Sequence, residues 1–364
     1  MSLSPEMLAR IRSRAAAYDR DNAFFAEDLD ELRSAGYLAS RSLRETARDQ
    51  RLLAAYAPAT ALGINMHLVW TGVARVLSQR GDHSLDWVLE EAAAGEVFAF
   101  GNSEPGNDLV LFDSLTTVET VEDGYAFTGT KIFTSLSPAW TRLGIFGRQG
   151  DELVHGFITR DTPGWHSLDD WDTLGQRATQ SHTTVLEGAV VPADRVSRIL
   201  PVGVSGDPFI FGIFANFLVL IASVYAGIAD RALELSVEAA HRRTSLKNGG
   251  AAYAQDPDIR WRVADAALAL DALAPQIEAV ASDVDTLVDH GNDWYRRLTG
   301  VKHRSTETAR HVVDQAMRVS GGSAYRSSSE LARLQRDVLA GIYHPSDTES
   351  VHSTVASNLL GPLL

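Results

Sequence analysis

VFAFGNSEPGNDLVLFDSLTTVETVEDGYAFTGTKIFTSL, residues 97–136, reads as one small β structure carrying a ligand site. Residues 98–101 are a short apolar run, and 117–122 alternate β-branched with acidic residues before the turn pair Asp123-Gly124, which signals a hairpin. The return strand spans 125–133 with Gly129 inside it, where a missing side chain marks a bulge or a close backbone approach. Two loops are then candidates for function: Ser103-Glu104-Pro105-Gly106-Asn107-Asp108 after the first strand, and Phe133-Thr134-Ser135 at the end of the last.

Outward from this stretch, 142–148 and 153–160 predict a second hairpin across Gln149-Gly150-Asp151-Glu152. Thr162-Pro163-Gly164, Leu174-Gly175 and a strand over 183–190, closed by Val191-Pro192-Ala193, complete the β region. On both sides the pattern is helical. Ser4-Pro5-Glu6 supplies an N-cap, a first-turn proline and an acidic first turn. Residues 24–35 end on Gly36, and 45–57 and 85–94 read as helices too, with a more apolar helix between them that contains His67 and Trp70. After the β region, long helices are expected over about 209–247, 257–291, 293–320 and 328–342, and then a terminal one. Four such helices most simply form an antiparallel bundle. The expected class is α+β, mostly α: an N-terminal helical domain (1–96), a middle β-barrel or sandwich domain (97–205) and a C-terminal four-helix bundle (206–364).

With 45% hydrophobic and 22% charged residues, the 364-residue chain has an ordinary globular composition. Its formal charge of −14 argues against a nucleic-acid partner, which needs clustered Lys and Arg. It has no cysteine, so disulfides, thiolate catalysis and Cys-bound metal are excluded. The start MSLSPEMLARIRSRAAAYDRD lacks the apolar core of a secretory signal, and a cytoplasmic location is expected. Residues 208–229 run about the length of a bilayer span without a charge. Asn216, Ser223 and Tyr225 punctuate them, however, and an amphipathic sequence comes directly after, so the reading is a buried helix and no membrane insertion. No Rossmann fingerprint, P-loop, nucleophile elbow or HExxH occurs, and His352 has no metal-ligand spacing.

The two loops resemble those of the acyl-CoA dehydrogenase flavoproteins, whose middle β domain carries T-E-P-x-x-G-S-D and then G-x-K-x-W-I-T. Here Ser103 stands for Thr, Asn107 falls where Ser is usual in a shorter loop, Phe133 replaces Trp and Ser135 replaces Thr. The resemblance implies a flavin, FAD in the dehydrogenases, held by Phe100, Asn102, Ser103, Asn107, Phe133 and Ser135. It extends through Ala316-Met317-Arg318-Val319-Ser320-Gly321-Gly322 to Arg336-Asp337. In the family an Arg near the end of the first bundle helix and a Gly-Gly segment reach the cofactor of a neighbouring subunit. Arg243 (or Arg242), Arg318, Gly321 and Gly322 are the counterparts, and a homodimer or homotetramer is implied. Arg318 is a departure, since the family has Gln there; residues 38–50 also lack the usual Gly-Gly loop.

An acyl-CoA dehydrogenase places a Glu over the flavin to take the substrate α-proton, and geometry decides such general-base work before pKa does. The chain reads Ile342-Tyr343-His344-Pro345-Ser346-Asp347-Thr348-Glu349 at one family position for that Glu and Phe217 or a neighbour at the other. Asp347 or Glu349 would serve only in a repacked loop, and Asp347 equally suits the N-cap of the last helix. A His after Arg-Asp resembles a sister group, the two-component flavin monooxygenases, which take reduced flavin (FMN) from a separate reductase; His344, His67 and Ser135 would then be proton donors or stabilisers. A lone His on an apolar helix is otherwise a core residue. The resemblance implies three alternative functions: oxidation of an acyl thioester, with an electron-transfer flavoprotein as partner; oxygenation of an acyl or aromatic small molecule; or flavin or acyl binding without turnover.

Overall fold

A computed structural model of the protein describes residues 3–361. Its first helices are α1 (Pro5–Asp21), α2 (Ala26–Ser34), α3 (Leu43–Tyr56), α4 (Pro58–Gln79) and α5 (Asp86–Ala93). The Ser4 hydroxyl accepts from Met7 N at 3.2 Å, filling a first-turn N–H that the helix itself leaves open. Ser42 and Glu45 cap α3 reciprocally, and Gly36 turns the chain after α2 at φ 72°. α4 is buried along nearly its whole length.

The strands come next: β1 (Phe98–Gly101), β2 (Thr117–Val121), β3 (Gly124–Thr134), β4 (Arg142–Gln149), β5 (Glu152–Thr159), β6 (Trp165–Ser167), β7 (His182–Pro192) and β8 (Val196–Pro201). They form one sheet in the order β6-β7-β3-β2-β4-β5-β8, with β1 added to β4 in parallel. Both expected hairpins are present, β2/β3 and β4/β5. Gly129 answers to a close approach: a Cβ there would lie 2.5 Å from Thr116 Oγ1. β6 and β8 were not anticipated, because one has only three residues and the other carries no clean alternation.

The chain returns to helix with α6 (Pro208–Arg242), then a two-stranded ribbon of β9 (Thr244–Ser245) and β10 (Ala251–Ala252), α7 (Pro257–Asp271), α8 (Leu273–Asp285), α9 (Asp293–Ser320), α10 (Glu330–Leu339) and α11 (Thr348–Leu360). Two expected boundaries are corrected. The helix expected over 209–247 stops at Arg242, because the next residues have no apolar face to bury: Leu246 is fully exposed and Gly249 and Gly250 take left-handed turns. The helix expected over 257–291 breaks at Ala272 and again after Asp285. Pro275 cannot donate a backbone hydrogen bond and is tolerated only in the first turn of α8.

α6 is long and apolar enough to cross a membrane, yet 83% of its most apolar window is buried within the protein. It packs against α3, α4 and α9. Asn216 and Ser223 donate to carbonyls one turn back, Gly212 O and Val219 O, both at 2.8 Å. Such back-bonding lets polar groups sit in a buried helix without orphaned donors.

The loop between β1 and β2 is tied down by a buried ion pair. Glu104 Oε1 accepts from Lys131 Nζ, Ser114 Oγ and Thr116 Oγ1, each at 2.6 Å, while Oε2 accepts from Leu115 N at 2.7 Å and Asn107 Nδ2 at 2.8 Å. The ammonium also donates to Phe146 O at 2.6 Å. Burial pushes the Glu104 carboxyl up, but the Lys131 charge and these donors outweigh it and hold it down at about 2. Lys131→Met is expected to cost about 3–5 kcal/mol by urea denaturation, because it strands a buried carboxylate. Since the folded carboxyl lies below its ordinary value of 4.5, the stability it contributes is complete above that pH and is lost as pH falls toward 2. An acid titration of the unfolding midpoint that is flat across this window would contradict the assignment.

Candidate functional site

A cavity of about 340 Å³ lies between the strand-rich middle and the helices. Phe133, Ser135, Trp171 and Gln176 line it from the sheet side, Met66 from α4, Phe214 and Phe217 from α6, and Tyr343 and His344 from the turn after α10. Phe100 and Ser103 complete the wall at the end of β1, with the Phe100 and Phe217 rings stacked 6.3 Å apart. The place expected to take a flat ring is therefore open space.

The sheet-side wall is built from strained backbone. Phe133, Leu136, Gln176 and Gln180 all have φ between 42° and 67°. For side chains this size such a conformation is costly and persists only where the surroundings impose it. Ile132 N donates to Ser103 O at 2.9 Å, joining the two candidate loops, and Leu136 N donates to Thr179 O at 3.2 Å. Phe133 is left 56% exposed, edge-on to Trp171 at 6.2 Å. Beside it runs a strip of hydroxyls: Ser135 Oγ to Ser181 Oγ and Ser181 Oγ to Thr179 Oγ1, both 2.8 Å. Gln176 Nε2 donates to Asp337 O at 3.2 Å, whereas its Oε1 is buried without a partner.

The helical part clamps this wall through Arg336-Asp337. Asp337 Oδ1 accepts from Gln176 N at 2.6 Å, Arg336 Nε donates to Leu174 O at 3.0 Å, and Arg336 also pairs with Asp19. Burial pushes the Asp337 carboxyl up to about 6. Gly175 is what lets the two segments touch, for a Cβ there would lie 2.4 Å from the Arg336 backbone.

The turn that carries His344 is held by Lys302 of α9. This buried ammonium donates to Gly341 O at 3.0 Å and to His344 O and Ser346 O at 2.8 Å. Burial, and then the Lys302 charge, push the His344 imidazole down to about 3, so it is neutral near pH 7. His344 is the imidazole brought to the cavity. Among the described residues no Asp or Glu lines it.

Several expected residues are elsewhere. Asp347 caps α11, accepting from Ser350 N at 2.8 Å, and that bond lowers its pKa; Glu349 is exposed in the first turn of α11. His67 is fully buried, with Nε2 2.8 Å from Leu38 O and Nδ1 accepting from Phe98 N at 3.1 Å. Its imidazole is pushed down to about 4 by burial, so it serves to join α4 to β1 and is not a proton donor at the cavity. Asn107 is spent on Glu104, Asp113 O and Leu109 N, and Asn102 is buried with both polar atoms unpartnered. Arg243 donates to Val319 O at 3.0 Å and packs against Gly321, so those two do meet. Gly322 is exposed beside them, and Arg318 is turned to Asp314 at 2.7 Å. All lie away from the cavity of the same protomer: Arg243 is 22 residues past Ile221 on α6, roughly 33 Å at the helical rise. Sequence reasoning missed Lys302, Tyr225, Gln176 and Ser181. A lysine on an otherwise buried helical face was the one available signal.

The profile of the family described as acyl-CoA dehydrogenase, C-terminal domain, matches residues 219–346. Putative acyl-CoA dehydrogenase YdbM of Bacillus subtilis (strain 168) is 27% identical over 94% of this chain and 92% of that protein. Amino sugar nitrososynthase DnmZ of Streptomyces peucetius is 30% identical over 71% of this chain and 64% of that protein. Among solved structures, TdsC from Paenibacillus sp. A11-2 with FMN and indole superposes with a TM-score of 0.83 at 20% identity, covering 97% of this chain and 95% of that one.

Gly175→Ala is expected to open the clamp at a cost of about 1–3 kcal/mol, the range for forced overpacking. Thermal unfolding should show a lower midpoint, and a midpoint equal to the parent would mean that Leu174–Gln176 does not bear on α10.

Proposed function

Because the chain is an atypical member of the acyl-CoA dehydrogenase fold, we propose that it is a flavin-dependent monooxygenase acting on a small, largely apolar aromatic substrate. One observation carries the reading: among the described residues the cavity wall contains His344 and no carboxylate. Abstraction of an α-proton from an acyl thioester needs a base placed over the ring. Phe217 stands at one of its two family positions, and Asp347 and Glu349 lie outside the cavity. This favours oxygenation over the acyl oxidation that the loops first imply.

The residues fit a flavin. Phe133 and Trp171 offer flat apolar faces, and the hydroxyl strip with the unpartnered Gln176 Oε1 suits the N–H and carbonyl edge of a pyrimidine ring. Bound reduced flavin, with O2, supplies two electrons and an electrophilic oxygen, so that one oxygen atom enters the substrate and the other leaves as water. The chain's own part is to exclude water, through Phe100, Phe214, Phe217 and Leu111, and to hold a hydrogen-bond donor, His344, against the reacting region. An amino sugar nucleotide would need anionic and cationic partners. Among the described residues Arg336 is the one charged group in the wall, and it is already engaged by Asp19 and Leu174 O. Indole, the aromatic bound by TdsC, is the better match.

Arg243, Gly321 and Gly322, remote within one protomer, would complete the cofactor-tail site of a second copy, so a homo-oligomer is proposed. FMN or FAD would arrive reduced from a separate flavin reductase, in a soluble, cytoplasmic enzyme.

The test is to supply reduced FMN or FAD in air with indole, and separately to mix the flavin-loaded protein anaerobically with butyryl-CoA. Oxygenated indole without anaerobic bleaching is expected. Bleaching by the thioester would restore the dehydrogenase reading, and failure to bind either flavin would leave a non-catalytic protein. His344→Gln should lower product formation about 10²-fold, the low end for a positioned acid–base group, with flavin binding retained.

A further inference from the structure

The ring of His344 has one fixed neighbour. Tyr225 Oη lies 3.2 Å from its Nδ1, with ring centroids 5.8 Å apart. Tyr225 belongs to α6, is fully buried, and among the described residues its hydroxyl makes no other hydrogen bond. The contact is enforced from behind. A Cβ on Gly341 would lie 2.9 Å from Tyr225 Cζ and 2.5 Å from Thr306 Cγ2, so the bare glycine backbone is what admits the phenol ring beneath the turn. The Lys302 ammonium grips the carbonyls of Gly341, His344 and Ser346 from the α9 side. Backbone and ring are thus pinned by separate groups.

Two arrangements satisfy a 3.2 Å contact between a phenol and an imidazole nitrogen. If Nδ1 carried the proton and donated to Oη, the phenolic O–H would be buried with no acceptor. An orphaned donor costs more than an acceptor left with a spare lone pair. The phenol must therefore donate. Burial, and then the nearby Asp337 charge, raise the Tyr225 pKa well above its ordinary value, so its proton stays in place. With Nδ1 an acceptor, a neutral imidazole carries its proton on Nε2, and among the described residues Nε2 has no partner.

We infer that Tyr225 is the positioning residue for His344: its hydroxyl fixes the tautomer that presents Nε2–H, a donor, to the occupant of the cavity. The site is then built to stabilise negative charge developing on an oxygen, and His344 does not act as the base that an acyl-CoA oxidation would require. The tautomer follows from the buried contact and does not depend on the monooxygenase reading. Only its kinetic consequence rests on the monooxygenase reading.

The experiment is ¹⁵N solid-state NMR of histidine-labelled full-length protein, with His344→Gln identifying the signal among the 11 histidines. The parent should show an unprotonated Nδ1 and a protonated Nε2, and Tyr225→Phe should show a mixture of tautomers. A protonated Nδ1 in the parent, or an unchanged single tautomer in Tyr225→Phe, would overturn the assignment. With indole and reduced FMN, Tyr225→Phe should lower product per flavin oxidised about three- to tenfold, the factor given by one ordinary hydrogen bond, with the KM for indole within about twofold. A merely structural tyrosine would instead lower the fraction of folded protein and leave that ratio unchanged. If the NMR result holds while no probe is oxygenated, the tautomer assignment stands and the monooxygenase reading fails.

Discussion

Glu104 and Lys131 form a fully buried ion pair on which the rest of the cavity wall depends. A lone carboxylate or ammonium in that position would be prohibitive, so each requires the other and the surrounding donors. Between them they satisfy the backbone N–H groups of Leu115 and Thr116, the hydroxyls of Ser114 and Thr116 and the carbonyl of Phe146. The loop leaving β1 is thereby locked to β3 and β4. Ser103 and Phe133, which neighbour the pair in sequence, are left facing the ligand space. The most conspicuous charges of both loops are structural, and the modest residues beside them do the contacting.

The wall so fixed is only half a site. Its strained residue Gln176 holds its conformation because α10 presses on the segment at Gly175 and receives Gln176 N on Asp337. From the other side α6 supplies a run of phenylalanines at helical spacing, Phe214 and Phe217, which help to make that helix apolar enough to resemble a membrane span. The cavity is what remains when sheet, α6 and the turn after α10 are each held apart by their own hydrogen bonds. Close packing elsewhere makes such a remainder well defined and not a fluctuating gap.

In this acyl-CoA dehydrogenase fold, no carboxylate among the described residues lines the cavity. A turn that could present a carboxylate presents an imidazole, which burial beside a lysine keeps uncharged and a buried tyrosine orients. The nearest carboxylate of the same turn, Asp347, has gone to helix capping. Under the proposed reading, the cavity donates a hydrogen bond to oxygen and takes no proton off carbon.

Much of the fold was legible because it obeys local rules. Hairpins announced themselves through alternation and Asp-Gly or Gly-containing turns, a helix start through Ser4-Pro5, and the buried character of α6 through a charge-free run broken only by a few polar residues, two of which back-bond. What escaped were short strands such as β6 and the break at Ala272, where local pattern carries little information. Ser103, Phe133, Ser135 and His344, singled out by motif spacing, all line the same cavity. The sequence could not say that His67 and Asn107 were already spent on other groups, that Lys302 holds the turn 42 residues downstream, or that Tyr225 reaches His344 across 119 positions. Chain order sets which residues are neighbours along a strand or helix turn. Which buried polar atom finds a partner, and which is left facing open space, depends on how separate elements pack, and only the tertiary structure decides that.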